Sequence, residues 1–201
     1  MTLLINNKFF VIFLAPFLLG VITIFGFSPY NFTLINFFTF PILLFLISLI
    51  KKRTQSKYRK KKSNKYFFYL GFAFGFGFFL FGNYWISISL THDEMFKNLI
   101  PFAFVLIPLF LSIFFGLAIL TVGHFSEKKI YFILFFALAF SIFEFLRGNI
   151  LSGFPWNIIS YTWAWSEEII QILSIIGTYS LSLISITFFL HTFSFFSKKG
   201  C

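Results

Sequence analysis

The sequence predicts an all-α polytopic transmembrane bundle of about six membrane-spanning helices with both termini cytoplasmic. Three observations carry that prediction. Hydrophobic residues make up 59% of the 201 residues and charged residues only 11%, with a mean hydropathy of +0.91. Such a chain lacks the polar surface needed to coat a water-soluble globule. Six apolar stretches reach the roughly 17–25 residues that a helix needs to cross about 30 Å of hydrocarbon. Fourteen of the sixteen Lys and Arg residues then fall on one side of the stacked spans, the bias that marks cytoplasmic loops.

No Asp, Glu, Lys or Arg occurs from Phe9 to Ile50, and Ser28-Pro29-Tyr30-Asn31 splits this run into spans 9–27 and 32–50, a tight helical hairpin. Only Lys8 forms an n-region, and no small-x-small site precedes Ser28, so span one is a retained helix and not a signal peptide. The 51–65 loop carries nine Lys/Arg. A short basic loop between two spans reads as a topology determinant that also touches anionic lipid headgroups, not as a nucleic-acid site. In span three, 66–90, Gly71, Gly75 and Gly82 share a face on which another helix can approach closely. Its end, Phe81-Gly82-Asn83-Tyr84-Trp85, puts an amide and two interfacial aromatics at the external surface. Two roles fit Asn83: orienting a polar headgroup, or an interhelical hydrogen bond. Spans four, five and six are placed at 99–122, 130–146 and 169–193, with an external loop at 147–168. Ser174, Thr178, Ser182 and Ser185 form a small polar stripe along span six, read as a packing seam without chemistry. Residues 1–201 are thus one transmembrane domain. The 38 phenylalanines, beside abundant Ile, Lys and Asn, are read as the codon bias of an AT-rich genome.

The sequence offers no catalytic constellation. His92, His124 and His191 fall in an external loop, at a cytoplasmic boundary and at the end of span six, so they do not converge on a metal, and no cofactor is expected. There is no G-x-S-x-G, H-E-x-x-H, Walker loop or C-x-x-C. The loop acids Asp93, Glu94, Glu167 and Glu168 read as solvated surface, and the single cysteine, Cys201, makes no intrachain disulfide.

The informative stretch is Phe143 to Trp156, FEFLRGNILSGFPW. Residues 130–143 carry no charge, so a carboxyl group and a guanidinium, Glu144 and Arg147, share one helix face at the membrane boundary. Gly153, Phe154, Pro155 and Trp156 then break the helix into a shaped interfacial or re-entrant loop. Two roles fit the charged pair: holding a lipid phosphate or a loop carbonyl with Glu144 bracing Arg147, or locking helix five to its neighbours.

GFSPYNF at Gly26–Phe32, GFGFFLFGNYW at Gly75–Trp85 and EFLRGNILSGFPW at Glu144–Trp156 resemble the membrane part of bacterial apolipoprotein N-acyltransferase, over nearly the whole chain. The resemblance implies a multi-pass protein of the bacterial plasma membrane. It implies transfer of an acyl chain from a membrane phospholipid to the N-terminal diacylglyceryl-cysteine of a lipoprotein. In that family a nitrilase-like domain with a Glu, Lys and Cys triad carries the chemistry, and this sequence contains no match to it. Cys201 matches no catalytic position, and the chain alone is expected to be inactive. The expected substrate-positioning residues are Glu144, Arg147, Gly153, Phe154, Pro155, Trp156, Asn83 and Trp85. Two other classes remain open: a small six-helix transporter or channel with Glu144 and Arg147 along its path, for which no internal repeat is visible, and a non-catalytic scaffold paired with a separate nitrilase-like chain.

Overall fold

A computed structural model describes residues 7–54, 60–92, 94–125, 129–150 and 153–197, with no strand among them. Nine helices are labelled here: α1 (Phe10–Ile24), α2 (Asn36–Thr54), α3 (Lys60–Gly82), α4 (Tyr84–Ser89), α5 (Ile100–His124), α6 (Lys129–Asn149), α7 (Glu167–Gln171), α8 (Leu173–Ile176) and α9 (Thr178–Ser197). Four segments are long and apolar enough to cross a membrane: Thr33–Thr54, Ser63–Gly82, Lys97–His124 and Tyr131–Asn149. Two shorter apolar helices, Phe10–Ile24 and Thr178–His191, pack beside them.

Each difference from the expected spans has a local cause. The first turn of α1 is widened into a π-helix over Phe10–Leu14, followed by Pro16. Proline offers no N–H to the carbonyl four residues back and crowds it with its ring. The third span ends at Gly82, eight residues short of Leu90, because Asn83 leaves helical geometry (φ −113°, ψ 14°) and α4 starts afresh. Span six does not run continuously from 169. Residues 167–176 form the two short helices α7 and α8, and Gly177 takes a left-handed φ of 79° before α9 begins. Ser174 therefore stands outside the helix that carries Thr178, Ser182 and Ser185. The fourth and fifth spans agree with α5 and α6 to within a few residues.

Helix α3 is the centre of the packing, flanked by α1 and α5; from α5 the neighbours run through α6 and α9 to α2, which closes back onto α3. The first two helices are joined by the expected turn, yet α1 lies mainly along α3 and touches α2 less. Glycine sets these approaches. A Cβ on Gly20 would strike the Phe74 carbonyl of α3, and one on Gly75 would sit 3.0 Å from Ser112 Cα of α5. Gly71 and Gly75 do share a partner helix, whereas Gly82 faces Asn157 and Ile24 instead.

The middle of the ring is filled by phenylalanine from five helices. Phe40 of α2 stacks on Phe189 of α9 with centroids 5.8 Å apart, and meets Phe74 of α3 and Phe140 of α6 edge-on at 6.3 and 6.1 Å. Phe115 of α5 lies 5.1 Å from Phe140. All five are fully buried. Such offset and edge-to-face pairs add about 0.5–1.5 kcal/mol each beyond area burial. Whatever codon bias supplied them, these five phenylalanines form the centre of the core.

Candidate functional site: a loop clasped at one end of the bundle

At the end of α6 the chain turns back on itself. Gly153 adopts φ 71°, and a side chain there would run into the Gly148 carbonyl, so glycine is required both by backbone conformation and by contact. The Phe154 N–H then donates to the Arg147 carbonyl at 3.0 Å, setting residues 154–166 across the ends of α3, α6 and α9.

Glu144 and Arg147 both face this loop, at 0% and 2% exposure. Arg147 Nη1 donates to the carbonyls of Phe154 and Trp156, each at 2.8 Å. Its guanidinium lies 4.9 Å from the centroid of the Phe79 ring, a cation–π contact in a desolvated place. Glu144 Oε1 accepts from the Ile159 N–H at 3.0 Å, and Oε2 accepts from the Ser182 hydroxyl of α9. The expected bracing of Arg147 by Glu144 is therefore replaced by a division of labour. Among the described residues the only ion pair within 4.0 Å is Lys97–Glu94, while Arg147 takes carbonyls and Glu144 takes an N–H from the same loop. A loop at the boundary of an apolar bundle has backbone groups that water does not reach, and these two side chains satisfy them.

Other elements complete the clasp. Asn157, at φ 53°, donates from Nδ2 to Asn83 Oδ1 at 2.8 Å, which ties the loop to the 4%-exposed Asn83 at the break between α3 and α4. Trp85 and Trp156 meet edge to face at 5.5 Å and both are exposed. Thr33, just before α2, donates to the Thr162 carbonyl at 2.6 Å and accepts from Trp165 Nε1 at 2.7 Å. Trp163 Nε1 donates to Ser185 Oγ at 2.8 Å. Thus all eight expected site residues lie at one end of the bundle. Glu144, Arg147 and Asn83 sit behind the loop, while Trp85, Pro155 and Trp156 are exposed on its outer side and Gly153 and Phe154 are half-buried.

Sequence reasoning missed Thr33, Asn157, Ser182 and Ser185 as parts of this end. Ser182 and Ser185 carried a signal, their helical spacing, but it was read as a seam; Thr33 carried none. Replacing Thr33 by Val should remove both bonds and lower stability by about 1–2 kcal/mol, seen as a reduced unfolding midpoint. An unchanged midpoint would show that Thr33 does not tie the loop to α2.

The loop acids behave as surface. Glu94 pairs with Lys97 at 3.1 Å in the open. Glu168 is held below the usual carboxylate range by hydrogen bonds from its own backbone and from the Ser166 hydroxyl. Asp93, Cys201, Lys128, Lys198, Lys199 and residues 55–59 of the basic loop lie outside the described residues. Among the described residues no three His, Cys, Asp or Glu gather as a metal site.

A bundle of apolar helices, four of them of membrane length, whose buried Glu144 and Arg147 both hold one boundary loop is a membrane-embedded helical domain that builds a surface. The profile of the apolipoprotein N-acyltransferase N-terminal domain matches residues 19–190. The chain is 37% identical over 183 residues to the apolipoprotein N-acyltransferase of Rickettsia prowazekii, covering 90% of this chain and 34% of that protein. It is 40% identical over 131 residues to the Rickettsia bellii protein of that name (65% and 26% covered), and 31% identical over 179 residues to the one from Brucella melitensis (88% and 33%). The chain belongs to the apolipoprotein N-acyltransferase family, within its N-terminal domain. It spans about a third of the length of the relatives it matches.

Proposed function

We propose that this chain is the membrane domain of an enzyme that transfers an acyl chain from a membrane phospholipid to the N-terminal diacylglyceryl-cysteine of lipoproteins. In this reading residues 1–201 form one multi-pass domain of the bacterial plasma membrane. The two shorter apolar helices cross with the four long ones, giving six spans, with both termini cytoplasmic and the 147–168 loop outside. The family match over residues 19–190 carries the reading. The charge distribution supports the orientation, since the clasped loop lies at the opposite end from Lys51 and Arg53.

The contribution of this domain is position. A phospholipid donor and a lipid-linked amine must bring their reacting groups to one place above the bilayer, and holding two reactants in register lowers the barrier by removing their relative freedom. Trp85, Phe154, Pro155 and Trp156 form the surface against which the lipid headgroup regions rest; Glu144, Arg147, Gly153 and Asn83 hold that surface from behind. Nucleophilic chemistry belongs to a nitrilase-like unit, in the same protein or as a separate partner chain. Glu144 and Arg147 are engaged by loop backbone, which supports a scaffold and not a conducting path.

The test is Arg147→Lys in the complete protein, produced in a bacterium depleted of its own apolipoprotein N-acyltransferase, with lipoprotein N-acylation read by mass spectrometry. One ammonium does not reproduce a guanidinium held between two carbonyls and an aromatic face. The expected result is acylation supported by the wild-type protein and a drop of about ten- to hundredfold in the variant at unchanged membrane level. Full activity in the variant would remove the positioning role. Loss of the protein itself would leave Arg147 as a structural lock alone, and no acylation by the wild type would remove the functional assignment.

A further inference from the structure

The end of the bundle opposite the clasped loop holds a cavity of about 430 Å³ that the acyl-transfer reading does not use. Three elements build it: the start of α1 supplies Lys8, Val11 and Ile12, the end of α2 supplies Ile50, Arg53 and Thr54, and α3 supplies Tyr66. Its character is divided. Val11, Ile12 and Ile50 are buried at 2%, 5% and 4% exposure and make an apolar wall, while Lys8 and Arg53 are exposed and bring two positive charges to the mouth. The Thr54 hydroxyl is spent on the Ile50 and Lys51 carbonyls, at 2.8 and 3.3 Å. Lys51 points elsewhere, donating to the Phe125 carbonyl and lying 5.4 Å from the Phe132 ring centroid.

We propose that this cavity binds the phosphate-bearing headgroup of an anionic phospholipid from the leaflet at the basic end. Lys8 and Arg53 face the phosphate, and the glycerol and first methylenes lie on Val11, Ile12 and Ile50. The volume falls in the range of small-molecule sites, about 300–1,000 Å³. The pairing of cations with an apolar wall at the point where two membrane helices meet their boundary suits a headgroup joined to acyl chains better than a freely soluble phosphate. Basic residues near an anionic leaflet each contribute about 1 kcal/mol of attraction. Occupancy would tie the ends of α1, α2 and α3 together from the lipid side.

The experiment is native mass spectrometry of the full-length protein titrated with phosphatidylglycerol or with phosphatidylethanolamine. The expected result is one phosphatidylglycerol retained in preference to phosphatidylethanolamine. In Lys8→Gln/Arg53→Gln that affinity should fall by about tenfold or more. Lys52→Gln/Lys65→Gln, which removes two charges from the same end outside the cavity, should leave it unchanged. Ile12→Phe narrows the cavity with its charges intact and should also weaken retention, which keeps the proposal testable if the double variant fails to fold. Equal retention of the two lipids by the wild type, or equal losses in both charge-removal variants, would overturn the site. Displacement of the lipid by millimolar inorganic phosphate would reassign it to a soluble phosphate and overturn the lipid assignment.

Discussion

Replacing Glu144 by Ala should destabilise the protein by about 3–5 kcal/mol, the cost of leaving a buried charge and its neighbours without their partner. The Ile159 N–H and the Ser182 hydroxyl each lose a buried acceptor, and each unsatisfied donor costs about 1–3 kcal/mol. Arg147 keeps its two carbonyls but loses the acid whose charge acts on it. Glu144→Gln retains an acceptor oxygen and the shape, so it should cost less, about 1–2 kcal/mol. The measurement is the unfolding midpoint of the purified protein, followed by tryptophan fluorescence because Trp156, Trp163 and Trp165 all ride on the loop. If alanine and glutamine variants unfold at the same midpoint as the wild type, the loop is not held by this side chain. The same experiment separates the clasp from a direct Glu144–Arg147 bond. Under the clasp, Ser182→Ala should reproduce part of the Glu144 loss, whereas under a direct bond it should have no effect.

Gly71→Leu should cost about 3 kcal/mol, the upper part of the usual range for overpacking. A Cβ at this position would collide with the Phe115 carbonyl and come within 2.9 Å of Ile119 Cβ and 3.0 Å of Gly116 Cα. Two of those three contacts are backbone, and backbone yields only if α3 and α5 move apart. Phe74, Phe78 and Phe79 would then lose their contacts with Phe115, which now lie at 5.8, 5.5 and 5.1 Å between centroids. Gly177→Ala is the useful contrast. Nothing lies within 4 Å of a Cβ there, but φ 79° with ψ 161° is a conformation essentially confined to glycine, so the expected cost is backbone strain alone, about 1–3 kcal/mol, with no displacement of a neighbouring helix. A Gly71→Leu protein as stable as the wild type would mean that α3 and α5 do not need their close approach.

The glycines of α3 show how differently parts of this protein are written in its sequence. The face formed by Gly71 and Gly75 is visible from spacing alone, because helical periodicity is a local rule. That Gly82 leaves this face for Asn157 is not visible, since the break at Asn83 and the return of the 153–166 loop occur far apart in the chain. The serine stripe is a similar case. Ser182 and Ser185 stand at packing positions, and only the arrival of Glu144 and Trp163 turns them into hydrogen-bond partners.

By itself the sequence determined that the chain is a bundle of apolar helices, which of its ends is basic, and that Glu144, Arg147 and the Gly153–Trp156 turn are its unusual feature. These follow from run lengths, charge counts and residue types, properties that add up along the chain without reference to its folding. Tertiary structure decided what those residues hold. Thr33 and Thr162 meet across 129 positions of sequence, and Asn83 and Asn157 across 74. No local pattern encodes such meetings. They arise because the loop's polar groups, the Thr162 carbonyl and the Asn157 amide among them, lie at the edge of an apolar bundle and need partners from whichever helix ends the packing brings beside them.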